Sequence, residues 1–444
     1  MFKLRPYQTE AKEEIRASFL KGRRRVILCM PTGAGKTVTF ADIVSNSIAN
    51  GARAMIICDR KELIGQARDK LGELGLSPTI IAPKYRQTVN NCYLASVDTL
   101  RRRELPEIDL LIVDEAHKQT FDKIIAKYIE FCNPYIIGAT ATPFRSGGQN
   151  CLSTIYEDII EPVTTSELIE LGNLVPARTF ASKQDYSSVK MKGSEFDTRA
   201  LYEKFNDVKL YDGVIDNYLK FSEGKKAICF NVNVEHSVQM VQRFRDSGIE
   251  AVHLDGKTPD AQRRQILRDY RRGNFVLSNC SVLTTGFDEP SIETVIVNRA
   301  TMSMPLWLQM TGRGSRTFEG KDNFTIIDQG ANVYRHLLWE ENREWSLFKK
   351  PKKNGDGVAP IKCCDSCEAI NHASAKVCKE CGTPFPIVKK KLLEAEFIEV
   401  KANRGIKRIP DAKTASRQDL SDYAKDMGYK QGWVFKQLEM AGRM

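Results

Sequence analysis

No apolar run in the 444 residues approaches the ~18 to 20 needed for a membrane-spanning helix. The opening Met1-Phe2-Lys3-Leu4-Arg5-Pro6 has no apolar core of a signal peptide. These two absences argue against a membrane bundle and a secreted precursor, so no membrane partner and a cytoplasmic location, in a bacterial cell or phage-infected host, are expected. No internal repeat of solenoid period is visible. With 42% hydrophobic and 28% charged residues, wholesale disorder and collagen are excluded. At about 150 residues per domain, the length suggests roughly three domains. Lys and Arg (67) outnumber Asp and Glu (56), and the net charge of +11 fits a polyanion partner without proving one.

Two stretches alternate short apolar runs with helical patterns. In the first, residues 1–165, Val26–Met30, Ala54–Cys58, Leu110–Val113 and Tyr135–Ile137 read as buried parallel strands. A helix is expected from Lys36 to a stop at Asn50-Gly51. In the second, residues 223–345, the strand candidates are Ala227–Phe230, Phe275–Leu277, Thr294–Val297 and Phe324–Ile327. Val234, Val238, Val241 and Phe244 mark a helix between them. Residues 166–222 read as a connector with some helix, and 346–359 as a hydrophilic linker. The predicted fold class is α/β, two parallel-sheet domains followed by a cysteine module (360–388) and a basic helical end (389–444).

Pro31-Thr32-Gly33-Ala34-Gly35-Lys36-Thr37 lies between a strand and a helix, where a phosphate loop belongs. Glycines such as Gly33 and Gly35 let backbone N–H groups curl around a triphosphate, and the helix N-terminus adds partial positive charge. Lys36 would reach the β/γ-phosphates and the Thr37 hydroxyl would hold Mg²⁺. The common form has Gly six positions before the Lys; here that place is Met30. Downstream, Leu110–Val113 runs into Asp114-Glu115-Ala116-His117. Asp114 at the end of a buried strand is placed for the Mg²⁺ shell, and Glu115 for polarising the attacking water.

With these motifs in order, the chain resembles the superfamily-two nucleic-acid helicases of the DEAH-box type over residues 1–330. The resemblance implies two RecA-like domains, ATP and Mg²⁺ as cofactors, and DNA as partner. It implies that Leu4-Arg5-Pro6-Tyr7-Gln8 reads adenine, with Gln8 pairing to the base edge and Arg5 beside it. Residues 60–66 resemble a strand-contacting motif and 96–100 the motif after it, which makes Arg60 and Gln66 nucleic-acid contacts. Gly138-Ala139-Thr140-Ala141-Thr142-Pro143 matches the segment that couples nucleotide to nucleic acid, through Thr140, Thr142 and His117. Ser281–Asp288 matches the motif that implies a nucleic-acid contact at Thr285 and nucleotide contacts at Gly286 and Asp288. Gln309-Met310-Thr311-Gly312-Arg313-Gly314-Ser315-Arg316 matches the motif that supplies Gln309 and two arginine fingers. Arg316 is the favoured finger, and Arg313 the second γ-phosphate contact. Planar cations suit charge spreading over a transferring phosphoryl group.

Of twelve cysteines, seven are scattered, several inside apolar runs, as expected of reduced thiols. The other five crowd between 363 and 381. Cys364-x₂-Cys367 and Cys378-x₂-Cys381 form two knuckles that suit a structural tetrahedral Zn²⁺. Cys363 and His372 remain substitutes for one ligand. The module either touches DNA or staples a small domain. Gly428–Trp433 lies in a basic amphipathic end that resembles the RadD-like and phage branch of the family, where Trp433 reads as core rather than as a stacking platform. The leading functional expectation is an ATP-driven DNA helicase or translocase that remodels forked or branched DNA in replication, recombination or repair, working with other proteins of those processes. An RNA helicase and an ATP-gated switch that recruits partners without unwinding are the alternatives.

Overall fold

The computed structural model describes residues 4–59, 61–83, 85–145, 151–182, 186, 188–206, 208–284, 286–348, 361–372, 374–385, 414–426 and 432–443. Residues 1–385 form one compact unit and 386–444 a second.

The first lobe is a seven-stranded parallel sheet. Its strands are β1 (Arg25–Cys29), β2 (Ala54–Cys58), β3 (Thr79–Ile81), β4 (Cys92–Ser96), β5 (Leu110–Asp114), β6 (Tyr135–Thr140) and β7 (Asp158–Ile160), in the order β3-β4-β2-β5-β6-β1-β7. Helices cover its faces, so β1, β2 and β5 are buried almost end to end. Their near-continuous apolar runs follow from that burial. The expected helix forms as Lys36–Ala49 and stops at Asn50.

The second lobe is a six-stranded parallel sheet. It uses β8 (Ala177–Ala181), β11 (Ala227–Asn231), β12 (Ala251–Leu254), β13 (Val276–Asn279), β14 (Thr294–Asn298) and β15 (Phe324–Asp328), in the order β12-β13-β11-β14-β15-β8. A two-stranded hairpin, β9 (Met191–Lys192) and β10 (Glu195–Phe196), precedes them in the chain after β8. Two expectations need correction here. The stretch 166–222 is more than a connector: it supplies β8, the edge strand paired in parallel with β15. The helix Val234–Asp246 forms, but its buried face runs through Met240, Val241 and Phe244, while Val234 and Val238 are exposed.

After the second sheet the chain returns to the first lobe. Trp339 packs edge-on to Phe324 at 5.4 Å, while Leu347 is buried in the first lobe's apolar cluster with Trp345 against it. Leu347, in the expected linker, is therefore docked, while Phe348 is exposed; residues 349–359 lie outside the described residues. The hairpin β16 (Ile361–Cys363) and β17 (Ile370–His372) opens the cysteine module. That module packs beside β8: Phe180 and Phe221 stack at 3.7 Å in one cluster with Cys364, Ala369 and Cys378. Arg178–Glu380 and Lys220–Glu368 ion pairs, each at 2.6 Å, tie it to the second lobe.

The second unit, described by itself, contains helices Arg417–Asp426 and Gly432–Met440. They pack through Leu420, Ala424, Val434 and Leu438, with Trp433 against that cluster. Lys389–Lys391 and Gly428–Gln431 lie outside the described residues.

Candidate active site

The loop between β1 and the helix Lys36–Ala49 is shaped by two glycines. Gly33 has φ of 98° and Gly35 of 82°, the left-handed region that a side chain resists. Space excludes a side chain as well. A Cβ on Gly33 would lie 2.1 Å from Arg316 Nη1, and one on Gly35 would lie 2.5 Å from Gln8 Nε2. The N-terminal segment therefore props the loop from one side, and the second lobe closes on it from the other.

Lys36 Nζ donates to the carbonyls of Met30 at 2.9 Å and Pro31 at 3.3 Å. Burial lowers its pKa from the usual lysine value, while Glu115 and Asp114 oppose that shift. Burial and the neighbouring Glu115 charge push Asp114 up to about 7, with Lys36 opposing. Thr37 and Asp114 line one recess with Cys58 and Gln66. Glu115 Oε2 is buried 3.4 Å from His117 Nδ1 and has no hydrogen-bond partner among the described residues. Burial also lowers the pKa of His117, which favours the neutral ring, while Glu115 opposes that shift. Its Nδ1 lies 2.8 Å from Thr140 Oγ1, which in turn accepts from the Thr142 N–H at 3.0 Å.

The second lobe presents Arg316 from the chain that follows the helix Met304–Thr311. Its Nε donates to Asp288 Oδ1 at 3.0 Å, while Nη1 is buried without a partner among the described residues. Residues 174–175 pass between the lobes: Leu174 bridges to Arg316, and the Val175 N–H donates to Ser315 O at 2.9 Å. A Cβ on Gly312 would lie 3.2 Å from Thr32 Cβ, so bare backbone is what lets the lobes meet there.

Several expected residues sit otherwise than the sequence implied. Gln8 is buried; its Nε2 donates to Ala34 O at 3.0 Å and Gly35 O at 3.4 Å, and its Oε1 accepts from the Arg5 N–H at 2.9 Å. The amide thus braces the loop, with only the carbonyl's second lone pair left for a base. Arg5 Nη1 donates to Tyr7 Oη at 3.0 Å. Arg313 donates to the carbonyls of Phe287 and Thr284 in the 281–288 loop, so in this geometry it organises that loop instead of facing Gly33. Gln66, expected to contact a nucleic-acid strand, donates to Gly286 O across the cleft at 2.7 Å. Gln309 is buried on the last turn of its helix. Arg60 and Thr285 lie outside the described residues. The sequence reading missed Tyr7, whose hydroxyl donates to Ala34 O at 3.1 Å, and Arg145, whose guanidinium bonds the Ala116 and His117 carbonyls. Tyr7 lies inside a recognised motif and Arg145 just after one, but neither position reveals a backbone partner.

The four cysteines Cys364, Cys367, Cys378 and Cys381 converge, their sulfurs all within 4.8 Å of one another. Cys364–Cys381 and Cys367–Cys378 are each 3.6 Å apart, close to the roughly 3.8 Å edge of a tetrahedron with Zn–S bonds near 2.3 Å. Cys363 Sγ points instead toward the Glu368 carbonyl at 3.4 Å, and His372 Nδ1 lies 2.6 Å from Ser374 Oγ.

Comparison with known proteins finds a family match in each lobe. Residues 1–145 match the family described as type III restriction enzyme, res subunit, and residues 210–317 the helicase conserved C-terminal domain. A 51.5 kDa protein of a Lactococcus phage is 30% identical over 380 residues, covering 83% of this chain and 80% of its own. The chain belongs to the superfamily-two helicases. As such a helicase it is an ATP-hydrolysing enzyme acting on nucleic acid. IRC3 of Saccharomyces cerevisiae, which carries an ATP-dependent helicase designation, is 29% identical over 353 residues, covering 73% of this helicase. The helicase spans about half (51%) of that relative's length. A fragment of an HsdR-type subunit of a type I restriction enzyme from Vibrio vulnificus shares the fold, with a TM-score of 0.58 at 22% identity over 74% of this helicase and 65% of that chain.

Proposed function

We propose that this helicase is a DNA motor of the DEAH-box, RadD-like and phage branch, which remodels forked or branched DNA in replication, recombination or repair. The observation that carries the motor reading is Arg316 of the second lobe set against Gly33 of the phosphate loop, with Nη1 buried and unpartnered among the described residues. A site assembled from both lobes makes nucleotide state and lobe position one variable. The restriction-enzyme descriptions among its relatives support DNA as the track, and the net positive charge suits a nucleic acid of either kind.

The residues fit a triphosphate: two left-handed glycines leave a cradle, and Lys36, Glu115 and Arg316 converge on it. In this reading Lys36 and the loop N–H groups hold the β- and γ-phosphates. Thr37 and Asp114 hold magnesium, which when bound neutralises phosphate charge. Glu115 orients the attacking water, and Arg316 spreads the charge of the transferring phosphoryl group. Asp288 holds Arg316 in place, and His117, Thr140 and Thr142 pass the state of the site toward the nucleic acid. Gln66 belongs to the nucleic-acid face. The four cysteines hold zinc as a structural site. The absence of any helix long and apolar enough to cross a membrane among the described residues is compatible with work in the cytoplasm.

The test is steady-state ATPase with no nucleic acid, single-stranded, duplex and forked DNA, and matched RNA, over a salt series. Forked DNA should stimulate most and RNA little. Stimulation by RNA alone would replace the DNA reading, because phosphate contacts position without specifying and the 2′-OH discriminates. No stimulation by any polymer would favour a partner-gated switch.

A further inference from the structure

Glu115 is a non-glycine residue with φ of 55°. Such a backbone persists only where its surroundings over-determine it. Within the turn, the Lys118 N–H donates to Glu115 O at 3.0 Å, and the Ala116 N–H donates to Ala139 O at 2.8 Å. The Glu115 N–H also bonds Asp114 Oδ1 at 3.1 Å, and Lys118 pairs with Asp59 at 2.6 Å; the two intervening carbonyls are held by Arg145, whose side chain is only 4% exposed. Its Nε donates to His117 O at 2.9 Å and its Nη2 to Ala116 O at 3.4 Å. Nη1 and Nη2 also grip the Asp122 carboxylate at 2.9 and 2.7 Å. One planar cation therefore joins both carbonyls of the turn to the first residue of the helix Asp122–Phe131. The same segment reaches the turn a second time, through Thr140 on the His117 ring.

We infer that Arg145 is a positioning residue for hydrolysis: by holding the 115–117 turn through its carbonyls, it keeps Glu115 aimed at the attacking water. Residues 140–145 and the catalytic turn then shift together, one contact through a ring and the other through the backbone. The inference rests on the proposed role of Glu115.

Arg145→Lys tests it, because lysine keeps a cation beside Asp122 but lacks the fork that reaches both carbonyls. Its DNA-stimulated kcat is expected to fall about tenfold or more, with KM for ATP and affinity for a fluorescent ADP analogue changed less than about twofold. In a Glu115→Gln background, single-turnover hydrolysis should show no further loss from Arg145→Lys, since both changes act through one group. Asp122→Asn, which breaks the ion pair but leaves the carbonyl bonds, should lower the melting temperature and leave kcat within about twofold. Wild-type turnover by Arg145→Lys, a loss that multiplies with that of Glu115→Gln, or an equal kcat loss in Asp122→Asn would each overturn the inference. If Arg145→Lys does not fold, Arg145→Gln, which retains an amide donor, goes through the same comparison. Wild-type turnover by Glu115→Gln would instead remove the role assigned to Glu115, a failure separable from that of Arg145.

Discussion

Lys36 is one side chain to which both a structural contact and a proposed chemical role fall. Its ammonium donates to two loop carbonyls, so it closes the loop on itself. A phosphate would compete with those carbonyls for the same charge. Lys36→Ala should therefore leave the fold intact and reduce ATP turnover by on the order of a hundredfold or more in a steady-state assay. A near-normal rate would remove the phosphate-loop role. The buried histidines make a different prediction. Burial lowers His336 to about 4, and its Nε2 lies 2.9 Å from Thr301 O. The unfolded state takes up the proton near pH 6.5, and the folded state only near the lower value. The stability His336 contributes above pH ~6.5 is therefore lost progressively as the pH falls toward 4. Between pH 6.5 and 5 the loss is about 1.5 kcal/mol. In urea titrations at pH 7 and 5, His336→Gln, which still offers a donor to Thr301, should lose less stability than the parent. Equal losses would mean that His336 does not stay neutral in the folded protein.

At the scale of elements, legibility followed burial. β2 and β5 are interior strands with unbroken apolar runs, and their residues announce them. β3 and β12 are edge strands of three and four residues with partly exposed positions, too short for a periodic signal. β8 carries Arg178 and Thr179, polar residues that the sequence reading placed in a connector. They suit an edge strand because the cysteine module packs beside it and Glu380 pairs with Arg178. This makes the module a buttress of the second sheet. Two partly exposed ion pairs and one aromatic stack contribute about 1–2 kcal/mol. Cys378→Ser, or stripping the metal with a chelator, should open residues 361–385 to proteolysis and lower the melting temperature by roughly 2–5 °C, with the two sheets still folded. Protein prepared without chelator that contains no zinc would refute the metal assignment.

At the scale of the whole molecule, the two lobes share one apolar cluster that runs from Leu28 and Ile112 to Trp307 and Ile326. Leu174–Arg316, Val175–Ser315, Gln66–Gly286 and the return of Trp345 and Leu347 add contacts at separate points around the cleft. These contacts join the lobes around the cleft, and Arg316 stands among them. Arg316→Ala should bind a fluorescent ATP analogue normally yet hydrolyse ATP about a thousandfold more slowly, because only the second lobe's cation is missing. Matching losses of binding and turnover would show instead that Arg316 holds the loop.

The amino-acid sequence by itself determined the two parallel-sheet lobes, the phosphate loop, the acidic box and the four-cysteine spacing. Each is a local pattern in which apolar period, glycine placement or ligand spacing carries the physics. Only the tertiary structure decided what the polar groups between those motifs bond to. Gln8 braces the loop, Arg313 gathers the carbonyls of Thr284 and Phe287, Gln66 crosses to Gly286, and Arg145 holds the Glu115 turn. Their partners are backbone carbonyls 26 to 220 residues away in the chain. A carbonyl is present at every residue, so no side-chain pattern marks which one will be met; the packing within each lobe selects it for Gln8, Arg145 and Arg313, and the packing of one lobe on the other for Gln66.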